Sequence, residues 1–245
     1  MVKILHYCWF GGNPLPEATV KFMETWKKFC PDFEIKRWDE TNFPVDEHPF
    51  TKEAYRLKRW AFVSDYVRTF ALFNEGGLYV DTDVEFIKPI DDLLGSSFAG
   101  FEDDETIAPG LILYAREKNE EFYLKVLEKY DATAYADEIK SDIASPRIYT
   151  KVAKELGFNL DNSLQTKGGF TLYPMEYFQP YGANKRTKPT ITENTRTIHH
   201  YDATWYDKDE RELFNLKRKH GETGGKIVFA LKHPIKAIKK LRKRK

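Results

Sequence analysis

The chain has 245 residues, 41% hydrophobic and 15% aromatic, with 39 basic against 38 acidic side chains, enough apolar material for one large domain or a domain with an appendage. Two cysteines, Cys8 and Cys30, are too few for a disulfide framework and point to a reducing cytoplasm. No apolar run reaches the ~20 residues that cross a bilayer. The net charge of +1 hides an asymmetry: nine Lys or Arg and no acid lie between Lys226 and Lys245, leaving 30 basic against 38 acidic side chains elsewhere. That profile gives no reason to expect a nucleic-acid partner and turns attention to the basic end.

Residues 1–10 carry one charge and a short apolar run broken by His6, and read as a first strand over 4–10, not a signal peptide. A helix over 17–29 stops before Pro31, and residues 33–38 alternate as a second strand. A long helix is predicted over 52–74, with Leu57, Trp60, Ala61, Val67 and Ala71 as its apolar stripe and Gly76-Gly77 as its end. The run Leu78-Tyr79-Val80 follows directly as a strand, and an extended segment over 84–87 reaches Pro89. Further strands are predicted over 98–101, 111–114, 170–173 and 196–200, with helices over 120–130 and 147–156 and a mobile loop over 182–194. The alternation favours an α/β fold with a mostly parallel, doubly wound sheet. Residues 1–222 form the expected domain; 223–245 form a basic amphipathic tail. Ile227, Val228, Leu231, Ile235, Ile238 and Leu241 fall there at near-helical intervals among lysines and arginines, and Pro234 kinks the helix.

The feature that most needs explaining is Asp81-Thr82-Asp83, two carboxylates breaking an apolar run at a strand end. Neighbouring carboxylates repel unless a cation neutralises them, and a hard cation takes oxygen ligands. The alternative is a solvated turn. Asp65 and Arg68, three apart on the long helix, form either a structural ion pair or part of a polar site. Trp9, followed by Phe10-Gly11-Gly12, either packs in the core or stacks on a flat base, with Gly11 and Gly12 letting backbone approach a ligand. His199-His200-Tyr201-Asp202-Ala203-Thr204-Trp205 gathers two imidazoles, a carboxylate and an indole. On a strand His200 and Asp202 share a face, and either could complete an oxygen-rich metal site.

The blocks Ile4-Leu5-His6-Tyr7-Cys8-Trp9-Phe10-Gly11-Gly12, Trp60-Ala61-Phe62-Val63-Ser64-Asp65-Tyr66-Val67-Arg68 and Gly76-Gly77-Leu78-Tyr79-Val80-Asp81-Thr82-Asp83, in that order, together resemble the Asp-x-Asp sugar transferases of glycosyltransferase family 32. That group holds capsular polysaccharide enzymes and yeast mannosyltransferases, with clostridial glucosylating toxins as distant relatives. The resemblance implies a GT-A fold, a nucleotide-sugar donor such as a UDP-sugar, a divalent metal (Mn2+ or Mg2+) and transfer with retention. By similarity Trp9 stacks on the base, with Gly11, Gly12 and Tyr79 among the donor contacts. Asp65 and Arg68 hold the donor sugar and its phosphate surroundings, and Trp205 lies near the diphosphate. Asp81 touches ribose and sugar or metal, Asp83 binds the metal, and His200 is the expected late ligand, chosen over His199 and Asp202 by spacing. The segment Thr106-Ile107-Ala108-Pro109-Gly110 departs from the pattern, lacking the Asn that relatives often carry before the corresponding glycine.

The expected reaction moves a hexose-type sugar to a glycan or lipid-linked glycan in surface polysaccharide synthesis, at the cytoplasmic face of the cell membrane, with the tail on anionic lipid. Two rivals were weighed. A haloacid-dehalogenase-type phosphatase would use Asp81 as nucleophile, but Glu85 stands where that motif has Thr or Val, and 80 residues precede it. The other rival is a non-enzymatic, metal-dependent carbohydrate-binding protein.

Overall fold

The computed structural model describes residues 2–181, 189–201 and 208–234. They divide into two units, Met1–Ala183 with Pro189–His200, and Asn184–Lys188 with Tyr201–Lys245. Trp205, Asp202, residues 182–188 of the expected loop and residues 235–245 of the expected tail lie outside the described residues.

In the first unit, β1 (Ile4–Cys8), α1 (Glu17–Phe29) and β2 (Glu34–Trp38) form a parallel βαβ turn of chain. Helix α1 carries Glu17 in its first turn and Lys27 and Lys28 in its last, which suits the helix dipole. Its Trp26 is fully buried and donates from Nε1 to the Val84 carbonyl at 2.7 Å. Burying an indole removes roughly 200 Å² from water, about 5 kcal/mol at 25 cal/mol per Å².

The predicted long helix is two helices, α2 (Pro49–Arg56) and α3 (Trp60–Glu75). Lys58 turns left-handed at φ 57°, and Lys58 and Arg59 bond back to Tyr55 and Ala54 carbonyls instead of propagating the helix. The apolar periodicity runs through this break, because both helices face one core. Helix α3 ends at Gly76, and β3 (Gly77–Tyr79) follows at once beside β1. Gly77 is required there: a Cβ would stand 2.5 Å from the Ile4 carbonyl oxygen.

After β4 (Val84–Phe86) come β5 (Ser97–Gly100), β6 (Leu113–Ala115), α4 (Glu121–Asp131), α5 (Ser145–Glu155), β7 (Gln165–Lys167), β8 (Phe170–Tyr173) and β9 (Thr197–His199). Seven strands make one sheet in the order β2-β1-β3-β6-β5-β8-β7, and β4 pairs with β9 in a second. The large sheet is mixed: β2-β1, β1-β3 and β5-β8 are parallel, while β3-β6, β6-β5 and β7-β8 are antiparallel. The sequence reading missed β7, whose Gln-Thr-Lys lacks an apolar face.

His6 is a cross-link inside this sheet. Its Nδ1 accepts from Trp38 Nε1 at 3.0 Å, so the proton sits on Nε2, which donates to the Gly76 carbonyl at 2.8 Å. Burial pushes its pKa down to about 4. This tie joins β1, β2 and the end of α3, so it fixes the strand ends from which the polar residues emerge.

The second unit's described element is α6 (Lys208–Lys232), bent at Gly221, where φ 83° and ψ 166° leave the helical range. The expected tail helix therefore has a preceding arm that the sequence reading did not assign. Among the described residues no helix is long and apolar enough to cross a membrane.

Candidate functional site

The site lies at the carboxyl ends of β1 and β3, where open α/β sheets hold their ligands. Strand β3 stops at Tyr79, the Asp81 amide donates to the Gly110 carbonyl at 3.2 Å, and Val84 N–H donates to the Asp81 carbonyl at 3.2 Å. Asp81-Thr82-Asp83 is therefore a turn between two strands, with the Asp81 main chain held at both its amide and its carbonyl and the Asp83 carbonyl held by the His200 amide at 2.9 Å.

Asp81 faces the helix pair that the sequence reading singled out. Arg68 on α3 is 4% exposed and reaches Asp65 Oδ1 at 3.0 Å and Asp81 Oδ1 at 3.2 Å. The Tyr79 hydroxyl donates to the same Asp81 oxygen at 2.8 Å, and the Tyr79 ring lies 4.9 Å from the guanidinium. Burial works against the charge on Arg68, but Asp81, Tyr79 and Asp65 hold its pKa well above the usual value. Tyr79 is pushed well up, chiefly by burial, so it stays a phenol and donates.

Asp65 is 8% exposed. Its Oδ1 accepts from Ser145 Oγ at 2.6 Å and its Oδ2 from Ser145 N–H at 3.4 Å. Ser145 opens α5, so the carboxylate sits at a helix N-terminus, where backbone N–H groups and the dipole favour negative charge. Burial raises the Asp65 carboxyl above the ordinary carboxylate range, while Arg68 and Ser145 pull it back.

Asp83 meets an imidazole, and it is His199, at 2.9 Å, where the sequence reading expected His200. Strand parity places His200, and the turn places Asp83. In the antiparallel β4-β9 pair Val84 stands opposite His199 and Glu85 opposite Ile198, so His200 has the parity of Ile198 and Glu85. It accordingly bonds Glu85 at 2.8 Å and stacks on Phe22 with centroids 4.5 Å apart. Asp83, in the turn, leaves strand parity and swings to the His199 side. Burial would lower the His199 pKa, but Asp83 raises it overall through its charge and hydrogen bond.

Asp81, Asp83 and His199 each offer a ligand atom within 4.8 Å of the others. Two carboxylates and one imidazole suit a hard or borderline dication. Gly110 closes the wall: a Cβ there would lie 2.3 Å from Asp81 Oδ2 and 3.5 Å from Arg68 Nη1. The buried Cys8 thiol beside Tyr79 is pushed up to about 12, chiefly by burial, so it is no nucleophile.

The remaining expected residues are placed as follows. Trp9 is half-buried one residue past β1, its Nε1 donating to the Asn13 carbonyl at 2.7 Å. Gly11 donates from N–H to Glu40 at 2.6 Å, and a Cβ there would stand 2.7 Å from the Trp60 ring, so this glycine makes room for the protein's own indole. Gly12 is exposed with open space around it. Ser145 and Gly110 were not assigned roles from the sequence. Ser145 lies 80 residues from its partner, and a small residue carries no pattern that marks it.

Residues 16–99 match the family described as "glycosyltransferase sugar-binding region containing DXD motif". Over 100 residues, 38% of this chain, the sequence is 30% identical to inositol phosphoceramide mannosyltransferase 3 of Schizosaccharomyces pombe (strain 972 / ATCC 24843); the match spans 27% of that protein. Among solved structures, the fold resembles that of "PaToxG Glycosyltransferase" with a TM-score of 0.51 and 17% identity, covering 63% of this chain and 69% of that one. At that identity the likeness is one of fold. From the end of the first loop to the fifth strand, this chain is thus similar to the DXD-bearing sugar-binding region of glycosyltransferases, on an α/β fold that a glycosyltransferase structure shares.

Proposed function

We propose that this chain is a metal-dependent glycosyltransferase that moves a hexose-type sugar from a nucleoside diphosphate, UDP by preference, to a glycan or lipid-linked glycan, with retention of configuration. The observation that carries the reading is the juxtaposition of the Asp81, Asp83 and His199 cluster with the buried Asp65–Arg68 pair, inside the matched region but for His199. Those three residues would hold Mn2+ or Mg2+, and the chemistry such an ion supplies is Lewis-acid stabilisation of charge on a departing diphosphate.

The chain's own residues do the positioning. Asp65, fixed by Ser145 and Arg68, presents a carboxylate that can accept from sugar hydroxyls. Arg68 places positive charge between Asp65 and Asp81, close to where a diphosphate would lie, in surroundings dry enough to strengthen it. Trp9, at the same sheet edge, offers a ring for a base. With Cys8 protonated and Asp65 and Asp81 already engaged by Arg68, none of these described groups is poised as a covalent nucleophile, which favours same-face attack with the leaving phosphate as base. Engagement of Asp81 by Arg68 and Tyr79 also makes it a poor phosphoryl acceptor, so the phosphatase reading is the weaker one.

The test is a panel of nucleotide sugars assayed for release of free nucleoside diphosphate with Mn2+, Mg2+ or chelator. Metal-dependent release from one donor, lost in Asp83→Asn, is the expected result. Release unaffected by chelator and by Asp83→Asn would end the proposal.

A further inference from the structure

The second unit, taken by itself, is a hairpin of two helical arms. The bend at Gly221 reverses the chain, and the arms meet at Gly225, where a Cβ would lie 2.4 Å from Lys217 Cα and N. Glu212 ties the open end, accepting from Lys232 Nζ at 3.1 Å and lying 2.9 Å from His233 Nε2. Leu213, Phe214, Leu216, Val228 and Phe229 are half-buried. Ile227 and Leu231 are not: they are 56% and 77% exposed, and at four residues apart they are neighbours on one helical face.

From this geometry we propose that the second arm of the hairpin is a docking surface for an anionic phospholipid bilayer, with Ile227 and Leu231 entering the headgroup boundary. Charge complementarity selects that occupant. The segment from Lys226 to Lys245 has nine Lys or Arg and no acid. A second copy docked arm to arm would set nine like charges against nine, and a nucleic acid would leave the two aliphatic side chains in water. A negatively charged membrane surface satisfies both features together, the combination that defines interfacial helices. The inference is independent of the chemistry proposed for the first unit.

The full chain is tested by flotation with vesicles of phosphatidylcholine alone and of phosphatidylcholine with phosphatidylglycerol. Binding to the anionic vesicles, lost at high salt as the charges are screened, is expected. Ile227→Asn with Leu231→Asn should weaken it by more than about tenfold. Each of Lys239→Gln, Lys240→Gln and Lys243→Gln should weaken it about fivefold. All variants should keep their circular dichroism and metal-dependent donor hydrolysis. The proposal is overturned by equal binding to both vesicle types, by no binding to either, or by an Ile227/Leu231 variant that floats like the parent. It is equally overturned if sedimentation velocity shows a dimer that the same variant dissociates, which would make a second copy the occupant.

Discussion

Gly110→Ala adds a single methyl group and tests the geometry of Asp81 more cleanly than a change at Asp81 itself. Gly110 has no positive φ, so alanine is tolerated by its backbone, and the only cost is the contact. The new Cβ would sit 2.3 Å from Asp81 Oδ2 and 3.1 Å from its Cγ, against the 3.4 Å at which ordinary contact begins, so one partner must give about 1.1 Å. Both backbones are tethered, since the Asp81 amide bonds the Gly110 carbonyl. The carboxylate is therefore what moves, and it must stretch its bonds to Arg68 and Tyr79 as it does so.

Over-packing of this kind costs about 1–3 kcal/mol, which in a chain of this size lowers Tm by about 2–4 °C per kcal/mol. A displacement near 1 Å in a reacting constellation costs on the order of 100-fold in rate. The expected outcome is a folded protein whose Mn2+ affinity by calorimetry and whose kcat/KM for donor hydrolysis both fall far more than its stability does. Gly95→Ala, at an exposed site with open space for a Cβ, serves as the control. If Gly110→Ala keeps metal affinity and kcat/KM within about twofold of the parent, an error far below the 100-fold expected, the Asp81 carboxylate is outside the machinery.

His199→Gln should lower Mn2+ affinity by at least the roughly 10- to 100-fold seen on removing outer partners of metal ligands, whereas His200→Gln, at a ring that bonds Glu85 and stacks on Phe22, should leave it unchanged; calorimetry on the two variants decides, and the reverse order would make His200 the ligand. Ser145→Ala removes a buried donor to Asp65, at a cost of about 1–3 kcal/mol in stability. Because that hydrogen bond favours the carboxylate, its loss raises the Asp65 pKa further, so the acid limb of the rate profile should move to higher pH with metal affinity unaltered. His6 is kept neutral in the fold by burial, with a pKa of about 4, below the ordinary imidazole value of 6.5. It therefore contributes stability that is complete above pH ~6.5 and is lost as pH falls toward 4, about 3 kcal/mol over that window. Urea titrations at pH 7 and pH 4 should show a loss of that order, and His6→Asn should flatten it.

What could be read from the sequence and what could not differ for physical reasons. Local signals carried the early elements: the stop at Pro31, the Gly76-Gly77 end of α3 and the apolar run into Asp81 all act within a few residues. Periodicity could not reveal the break at Lys58, because α2 and α3 turn their apolar sides to the same core. The site was legible where its residues cluster, as with Asp65 and Arg68 one helical turn apart, and Asp81 and Asp83 in one turn. Which imidazole Asp83 meets is not legible in the sequence, because the β4-β9 register continued by one residue sets Asp83 opposite His200, and only the turn carries the carboxylate to His199. Ser145 reaches the site through tertiary packing and nothing in its own neighbourhood records it, while Gly110 shows in the sequence only as the glycine that ends the 106–110 segment.

The arrangement also gives the metal-dependent reading proposed above a physical basis. Three carboxylates, Asp65, Asp81 and Asp83, converge on a region where Arg68 bridges the first two and His199 meets the third. With ligand atoms of Asp81 and Asp83 within 4.8 Å, their mutual repulsion at an effective dielectric near 20 is at least about 3 kcal/mol. Arg68 offsets it only in part, because its charge is divided between Asp65 and Asp81, and His199 offsets part of it at Asp83. The fold nevertheless holds both carboxylates in place, Asp81 by Arg68 and Tyr79 and Asp83 by His199, on a main chain fixed by the Asp81 amide to Gly110 and the His200 amide to the Asp83 carbonyl. Repulsion that is built in and held open by the main chain disfavours the empty site while leaving the ligands already ordered, so a dication gains the electrostatic relief without a cost in ordering them. That distinguishes this turn from a solvated Asp pair, whose side chains would simply rotate apart.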